Sequence, residues 1–367
     1  MEHKKVYTAI GLMSGTSLDG IDAALIKTDG YNHVEYIESV LIPYEDELRE
    51  SLRGCLGKKE DPDGRIGMIE IAMTRAHAAA VDWLLGKAGY HPQDIDLIGF
   101  HGQTLFHDPA AGFTWQLCNG AMLARLTGIN VINDMRSADV AAGGQGAPLL
   151  PLYHQARLGK SGQIVAILNI GGVANVTWLG ANGAILAFDT GPGNALLDDW
   201  VKKHLNRPFD ENGMLARQGN VHQNILELYL AHPYFSKIPP KSLDRDYWDT
   251  GHCQTLSAAD GAATLSELTI QTIKKAQEHF PAQPEIWYVT GGGRHNPVLM
   301  DRLAKMLNAP VETVDTLGWN GDSLEAEGFA YLAVRSFLRL PLSLPSTTGG
   351  KNPVTGGRFH KVHWEDL

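Results

Sequence analysis

Little in this sequence points to disulfides, membranes or nucleic acids. Its three cysteines, Cys55, Cys118 and Cys253, lie far apart and fit neither a disulfide framework nor a metal-binding spacing, which suits a reducing compartment. No stretch approaches the roughly 18 uninterrupted apolar residues of a membrane-spanning helix. The formal net charge of −10 and the pI near 5.8 argue against binding to nucleic acid or to an anionic membrane. We therefore expect neither kind of partner.

The first residues carry no clear secretion signal. Lys4 and Lys5 precede the apolar run 6–13, as in the start of a signal peptide. That run is short, contains Thr8 and Gly11, and is followed by no small-residue cleavage site. We interpret it as a strand and expect a cytoplasmic protein.

The chain of 367 residues is long enough for roughly two domains. Apolar alternation predicts two successive units that each open with three strands joined by short turns, at 6–13, 21–28 and 34–42, and again at 164–170, 173–179 and 184–188. Alternating helices and strands follow each set. The Gly- and Ala-rich stretch 139–151 is the expected boundary, and 341–367 the expected looped tail. This repetition predicts an internally duplicated α/β protein with a cleft between its halves.

Three glycine-containing turns, at 14–20, 169–175 and 290–296, fall at predicted strand ends. Consecutive N–H groups and hydroxyls in such turns suit phosphate oxygens. Asp19 and Asp22 bracket Gly20, and one of them could hold Mg²⁺. None of the turns is a Walker A or spaced-glycine dinucleotide motif. Each alone is typical of an ordinary turn, but together they favour a two-lobed phosphotransferase that binds ATP.

A carboxylate follows the predicted strand 184–188. Asp189 precedes Gly191 and Pro192, which are expected to end that strand, and Asn194 is expected to cap the helix that begins at Ala195. Open α/β sheets place ligands at the carboxyl ends of strands. Asp189 is therefore either a catalytic carboxylate or a simple turn residue.

Six motifs in chain order resemble those of the 1,6-anhydro-N-acetylmuramic acid kinase family, part of the actin/hexokinase/Hsp70 superfamily. They are GLMSGTSLDGID (11–22), HGQT (101–104), GGQGAP (143–148), LNIGG (168–172), DTGPGN (189–194) and TGGG (290–293). One departure is Met135 before Arg136, where the family usually carries an aromatic residue, followed by Ser137 in place of a second basic residue.

This resemblance implies a duplicated actin-like ATPase fold of two lobes, each with a central mixed sheet, around an interlobe cleft. The implied N-terminal lobe is 1–138 with 341–367, the C-terminal lobe is 139–340, and the implied assembly is a homodimer. The implied reaction uses ATP with Mg²⁺: water opens the 1,6 bridge of the anhydro sugar and O6 is phosphorylated.

The resemblance and the turns together assign candidate site residues. Asp189 matches the general base that activates the water. The candidate nucleotide-binding residues are Gly15, Thr16, Ser17, Leu18, Asp19, Gly20, Ile21, Asp22, Gly171, Gly172, Gly291, Gly292, Gly293 and Asn296. The candidate sugar-binding residues are His101, Gly102, Gln103, Thr104, Arg136 and Glu325.

Several alternatives stay open. Glu325 could form a capping box with Asp322 at the start of the predicted helix 323–338. His101 could be a buried structural histidine, and Arg136 could form an ion pair instead of meeting the lactyl carboxylate of muramic acid. The chain could also be a superfamily kinase that phosphorylates a sugar without ring opening, or a nucleotide-switched binding module like actin or a chaperone.

Overall fold

The computed structural model describes residues 4–15, 17–159, 161–245 and 247–362. Its strands are β1 (Tyr7–Ser14), β2 (Gly20–Thr28), β3 (Val34–Pro43), β4 (Leu97–Asp108), β5 (Phe113–Leu117), β6 (Val131–Asn133), β7 (Val165–Ile170), β8 (Val173–Leu179), β9 (Ile185–Pro192), β10 (Ile286–Thr290), β11 (Val311–Thr313) and β12 (Arg358–His360). Its α-helices are α1 (Asp46–Arg53), α2 (Arg65–Ala88), α3 (Gly120–Thr127), α4 (Ser137–Ala141), α5 (Pro151–Leu158), α6 (Ala195–Leu205), α7 (Gln223–Leu230), α8 (Ala258–Ala276), α9 (Pro297–Met306), α10 (Leu324–Phe337) and α11 (Pro345–Thr348). Across these residues, no helix is long and apolar enough to cross a membrane.

The chain forms two compact units, Met1–Gly159 with Ser323–Leu367, and Lys160–Asp322. The first unit thus includes α5 and α10, which the sequence-based division assigns to the second lobe. The reason is that α10 packs on β1, β2 and β4. A Cβ on Gly11 of β1 would lie 1.8 Å from the carbonyl oxygen of Ala326 in α10, so only glycine permits this approach. The Tyr153 hydroxyl of α5 donates to Glu327 of α10 at 2.5 Å.

The first unit is built on a seven-stranded sheet of order β12-β6-β4-β1-β2-β3, with β5 paired to β4. Strands β1, β2 and β3 form an antiparallel meander, and β4 and β6 continue it in parallel with β1. Because side chains alternate along a strand, Ile10 and Leu12 enter a core with α2, whereas Gly11 faces α10. The prediction of a looped tail at 341–367 is wrong for β12, which forms a strand that pairs antiparallel with β6.

The second unit has a five-stranded sheet of order β11-β10-β7-β8-β9. Its meander is β7, β8 and β9, and β10 and β11 run parallel to β7, so strand order and directions repeat those of β6-β4-β1-β2-β3. Leu168, Phe188 and Trp287 lie in a core shared with α8 and α9. The expected internal duplication of an α/β protein is confirmed by this common topology.

Strand β9 continues to Pro192, beyond the end expected at Phe188. Val173 pairs with Pro192 and Ala174 with Gly191. Proline lacks an N–H donor, but β9 is an edge strand, where the lost donor costs little. Asp189 therefore lies within a strand and not in a turn.

Candidate active site

The turn between β1 and β2 carries the first candidate nucleotide-binding residues. The Leu18 N–H donates to the Gly15 carbonyl at 3.1 Å, and Leu18 has a left-handed φ of 58°, which is costly for a residue with a Cβ. A Cβ on Gly15 would meet only the Ser17 hydroxyl, at 3.7 Å, so protein packing does not require glycine there. Residues 20–22 begin β2. Thr16 lies outside the described residues.

A buried chain of hydroxyls and an amide joins the ends of β1 and β4. Ser14 and Gln103 are neighbours in the parallel register. The Tyr44 hydroxyl donates to Ser14 Oγ at 2.8 Å, and Ser14 Oγ donates to Gln103 Oε1 at 2.7 Å. Burial, aided by the charge of Asp22, raises the pKa of Tyr44, so this phenol stays protonated and remains a donor. The chain fixes the orientation of the Gln103 amide.

Asp19 and Asp22 have the donor chemistry that Mg²⁺ requires. Asp19 is exposed in the turn, and Asp22 is half-buried in β2, beside Met13 of β1. Carboxylate oxygens suit Mg²⁺, which usually keeps several water ligands. Over the described ranges, no three His, Cys, Asp or Glu side chains gather at one point. A magnesium ion here would take its other ligands from water and phosphate.

His101 and Arg136 are in direct contact. His101 Nδ1 lies 2.8 Å from the Gly102 carbonyl oxygen, which can only accept, so Nδ1 carries the proton and Nε2 accepts from Arg136 Nε at 2.9 Å. Arg136 also donates to the Gly146 carbonyl at 2.7 Å. Burial and the Arg136 charge hold the pKa of His101 well below its ordinary value. The histidine is neutral, and it helps to fix the plane of the guanidinium.

Phe329 of α10 packs against this pair. Its ring centre lies 4.5 Å from that of His101 and 5.8 Å from the Arg136 guanidinium carbon. Glu325 lies one helical turn before Phe329, on the same face of α10. The capping box proposed for Glu325 is not formed, because Ser323 is the N-cap and makes no side-chain cap bond. The first unit therefore brings three of the candidate sugar-binding residues to one region.

Gly102 and Thr104 have structural reasons for their identity. Gly102 has a φ of 72°, and a Cβ there would lie 1.9 Å from the Leu117 carbonyl oxygen of β5. The Thr104 hydroxyl accepts from Gln116 at 3.3 Å. Both residues thus serve the pairing of β4 with β5.

Sequence reasoning missed Asp139. Its carboxylate is buried and accepts from the Gly146 N–H and the Thr348 hydroxyl, each at 2.7 Å, and from the Ser343 hydroxyl. Asp139 thereby secures the glycine-rich loop whose Gly146 carbonyl holds Arg136. A signal was available, since Asp139 is an acidic residue at the start of the Gly- and Ala-rich stretch 139–151.

In the second unit, Asp189 is part of a polar row. Asp189 of β9 pairs with Asn175 of β8, which pairs with Asn169 of β7. Directly opposed residues of antiparallel strands point to the same face. The three side chains therefore line one face of the sheet.

Backbone and hydroxyl groups of a neighbouring segment hold Asp189, which is 6% exposed. Its Oδ2 accepts the Leu243 N–H at 2.7 Å. Its own N–H donates to the Lys241 carbonyl at 3.0 Å, and its carbonyl accepts from the Tyr234 hydroxyl at 2.6 Å. The carboxylate is thus oriented by residues that the sequence motifs did not include.

The β7–β8 turn is tied to the end of β9. The N–H groups of Gly193 and Asn194 donate to the carbonyls of Gly172 and Gly171, at 2.9 and 2.8 Å. Asn194 precedes α6 as expected, but its side chain donates to the Ile170 carbonyl at 3.0 Å and does not cap the helix. Residues that follow β9 therefore hold the β7–β8 turn in place.

The turn after β10 contains two kinds of glycine. Cβ atoms on Gly291 and Gly293 would lie 2.3 and 2.4 Å from side-chain atoms of Asn169 and Ile170, so packing against β7 requires both glycines. Gly292 is exposed, with nothing nearer than 3.9 Å to an added Cβ.

Asn296 follows this turn and caps α9. Its Oδ1 accepts the N–H groups of Val298 and Leu299. This cap accounts for the presence of an asparagine before Pro297, without a ligand.

Two units with one strand order, each with polar groups and glycine turns at its strand ends, define a duplicated α/β protein. The profile of the family described as anhydro-N-acetylmuramic acid kinase matches residues 7–361, and the chain belongs to this family. It is accordingly a kinase.

Relatives of the same description extend along nearly the whole chain. One from Rhizorhabdus wittichii is 50% identical over 359 residues, covering 96% of this chain and 98% of the relative. One from Paramagnetospirillum magneticum is 50% identical over 355 residues, covering 96% and 99%. Among solved structures, a ROK family glucokinase from Streptomyces griseus aligns over 89% of this chain and 99% of its own, with 14% identity and a TM-score of 0.40. So distant a likeness carries no conclusion about ligands.

Proposed function

We propose that this kinase converts 1,6-anhydro-N-acetylmuramic acid, ATP and water to N-acetylmuramic acid 6-phosphate and ADP. Water adds at C1 and gives its proton to Asp189, while the bond from C1 to O6 breaks. The released O6 attacks the γ-phosphorus of ATP, whose bond to the ADP oxygen breaks. Such a reaction would return cell-wall sugar to metabolism, in peptidoglycan recycling.

The observation that carries this proposal is the way Asp189 is held. A general base must lie within hydrogen-bond reach of the proton that it removes. The Leu243 N–H occupies Oδ2 at 2.7 Å, and the Lys241 and Tyr234 contacts fix the backbone on both sides of the side chain. A carboxylate oriented in this way suits proton abstraction from a bound water.

The fixed guanidinium of Arg136 supports recognition of muramic acid. Arginine binds carboxylates through paired N–H donors, and the lactyl carboxylate distinguishes muramic acid from glucosamine. The contacts with His101 and Gly146 orient Arg136 before a ligand arrives. We assign His101 an indirect role through Arg136, and we assign Glu325 to the sugar hydroxyls.

The glycine turns are assigned to ATP. Gly15 and Gly292 are the strongest candidates, because protein packing does not require glycine at either position. The remaining candidates keep their assignment beside the structural roles described above. Asp19 and Asp22 would hold Mg²⁺, which supplies positive charge to the phosphate oxygens when bound.

A coupled ADP-release assay tests the function. The expected result is turnover with 1,6-anhydro-N-acetylmuramic acid and far less with N-acetylmuramic acid or N-acetylglucosamine. In water labelled with heavy oxygen, the product sampled before anomeric exchange should carry label at C1. Unlabelled product would favour a kinase without ring opening, and ADP release that is independent of sugar would favour a nucleotide-switched module.

We also propose a cytoplasmic homodimer. Three free, buried cysteines suit a reducing compartment. Light scattering after size exclusion should give twice the chain mass of 40.0 kDa. A mass of one chain would overturn the dimer without affecting the proposed chemistry.

A further inference from the structure

Lys241 is a buried cation of the second unit. It is 7% exposed, and among the residues that the structure describes, its ammonium forms no ion pair with a carboxylate. It donates to the Tyr234 carbonyl at 3.2 Å and lies 3.5 Å from His279 Nε2. It also lies 4.7 Å from the centre of the Tyr234 ring and 5.7 Å from that of Phe188. Its direct contacts are thus aromatic rings and neutral acceptors.

This ammonium belongs to the segment that holds Asp189. The segment 234–243 supplies the Tyr234 hydroxyl, the Lys241 carbonyl and the Leu243 N–H to Asp189. The Lys241 ammonium ties one end of the segment to the other through the Tyr234 carbonyl. All three contacts with Asp189 therefore depend on a conformation that Lys241 crosslinks.

We propose that Lys241 is a positioning residue for Asp189, whose ammonium fixes the segment 234–243 in the conformation that orients this carboxylate. The inference rests on the proposed function, in which Asp189 is the general base. Burying an ammonium without a carboxylate costs free energy. A methionine of similar length would fill the same space without that cost, so the charge itself requires a reason.

The surroundings of Lys241 define a pH window. Burial lowers the pKa of Lys241 to about 8, the charges of Lys237 and Lys275 act in the same direction, and Glu278 opposes them. Burial, then the charge of Lys241, lowers the pKa of His279, whose bond to the Phe235 backbone opposes the shift. The crosslink is complete while Lys241 is charged and His279 is neutral. Above pH 8 the uncharged amine loses its attraction to the rings.

Steady-state kinetics of Lys241→Met, with Lys237→Met as the matched control, test the inference. Lys237 is an exposed lysine of the same segment. Lys241→Met should lower kcat at pH 7.5 by about tenfold or more, since a displacement of roughly 1 Å at a reacting group can cost about 100-fold. KM for ATP should stay within about twofold, because the turns assigned to ATP are not touched. Lys237→Met should keep the wild-type kcat at pH 7.5, where Lys241 stays charged, and its alkaline limb should move to higher pH because the repulsion from Lys237 is removed.

The pH profile of kcat separates positioning from mere structural support. The wild-type value should fall above pH 8, and Lys241→Met should lack this alkaline limb. An unchanged kcat in folded Lys241→Met, or an alkaline limb that persists in it, would overturn the inference. If Lys241→Met does not fold, Tyr234→Phe replaces it: this variant keeps the ring but loses the bond to the Asp189 carbonyl, and kcat should fall several-fold, whereas an unchanged kcat would overturn the inference.

Asp189→Asn in the same assay distinguishes the two proposals. Loss of turnover in Asp189→Asn with normal turnover in Lys241→Met would overturn only the positioning role. Normal turnover in Asp189→Asn would overturn the proposed function, and with it the reason for positioning this carboxylate.

Discussion

The two units share one strand order but hold their polar groups in different ways. In the first unit, side chains hold one another: Tyr44 to Ser14 to Gln103, and Arg136 to His101. In the second unit, a segment outside the sheet holds Asp189 through its backbone and one hydroxyl. A duplicated sheet thus provides equivalent strand ends, and the insertions and helices around it decide what each end can do. Substitutions in the first unit should act mainly on stability and binding, and at Asp189 mainly on chemistry.

Asp189→Asn should give the largest effect and thereby sharpen this comparison. Asparagine keeps an oxygen that can accept the Leu243 N–H, so the fold should persist. It cannot take up a proton, and kcat should fall by about 1,000-fold or more, at the upper part of the usual range for a general base. Coupled ADP release gives kcat, and calorimetry should show ATP affinity unchanged. If Asp189→Asn instead unfolded at a markedly lower urea concentration than wild type, the loss of kcat would reflect damage to the fold and not the loss of a base.

Gly11→Ala should give the next largest effect, on the free energy of unfolding. The new methyl would lie 1.8 Å from the Ala326 carbonyl oxygen, and a helix backbone cannot move aside alone. We expect a loss of about 3 kcal/mol or more, at the high end for overpacking. Urea unfolding measures it, with Gly15→Ala as the control.

Gly15→Ala should unfold like wild type, because protein packing does not require glycine there. It should bind ATP more weakly under the proposed assignment of this turn to ATP. The second unit offers a matching comparison. Gly293→Ala should lower stability, as Gly11→Ala does, because Gly293 packs against Ile170, and Gly292→Ala should affect only ATP binding, because Gly292 faces open space. Normal ATP affinity in both Gly15→Ala and Gly292→Ala would remove these turns from the nucleotide site.

Ser14→Ala tests the side-chain network of the first unit. The change leaves the Tyr44 hydroxyl and Gln103 Oε1 without their shared partner in a buried region. The free energy of unfolding should fall by about 1–3 kcal/mol, the usual cost of such unsatisfied groups. Adding Tyr44→Phe to Ser14→Ala should recover part of that loss, since it removes one orphaned hydroxyl. If the losses of stability in Ser14→Ala and Tyr44→Phe add up to the loss in the double variant, Ser14 and Tyr44 are not coupled.

The smallest effect concerns the pH dependence of stability in the second unit. The pKa of Lys241 is lowered from its ordinary 10.5 to about 8 in the folded protein. Between these values the unfolded chain binds a proton that the folded protein has released, so Lys241 makes wild-type stability rise with pH in this window. Reduced for solvent screening, the rise relative to Lys241→Met should be on the order of 1–2 kcal/mol. Urea unfolding at pH 7.5 and pH 10 measures this rise. The same change in the free energy of unfolding between the two pH values in wild type and Lys241→Met would contradict the prediction.

Local pattern predicted much of the fold. The strand Val173–Leu179 has the bounds expected from its apolar pattern between two turns. The capping box of Glu325 failed, since Asp322 instead forms an ion pair with Arg294 at 2.8 Å. The strand β12 also escaped prediction, because its partner β6 is distant in the chain. The continuation of β9 through Pro192 escaped it because glycine and proline usually end a strand, whereas here both pair with the neighbouring β8.

The sequence by itself determined the two meanders, the glycine turns, the family and the choice of Asp189, because these depend on short-range spacing and residue type. Only the tertiary structure decided that α10 belongs to the first unit, that Arg136 is fixed by His101, and that Lys241 lies buried within the segment holding Asp189. These facts depend on contacts between residues far apart in the chain, and burial and orientation exist only once those contacts form. No local pattern encodes them.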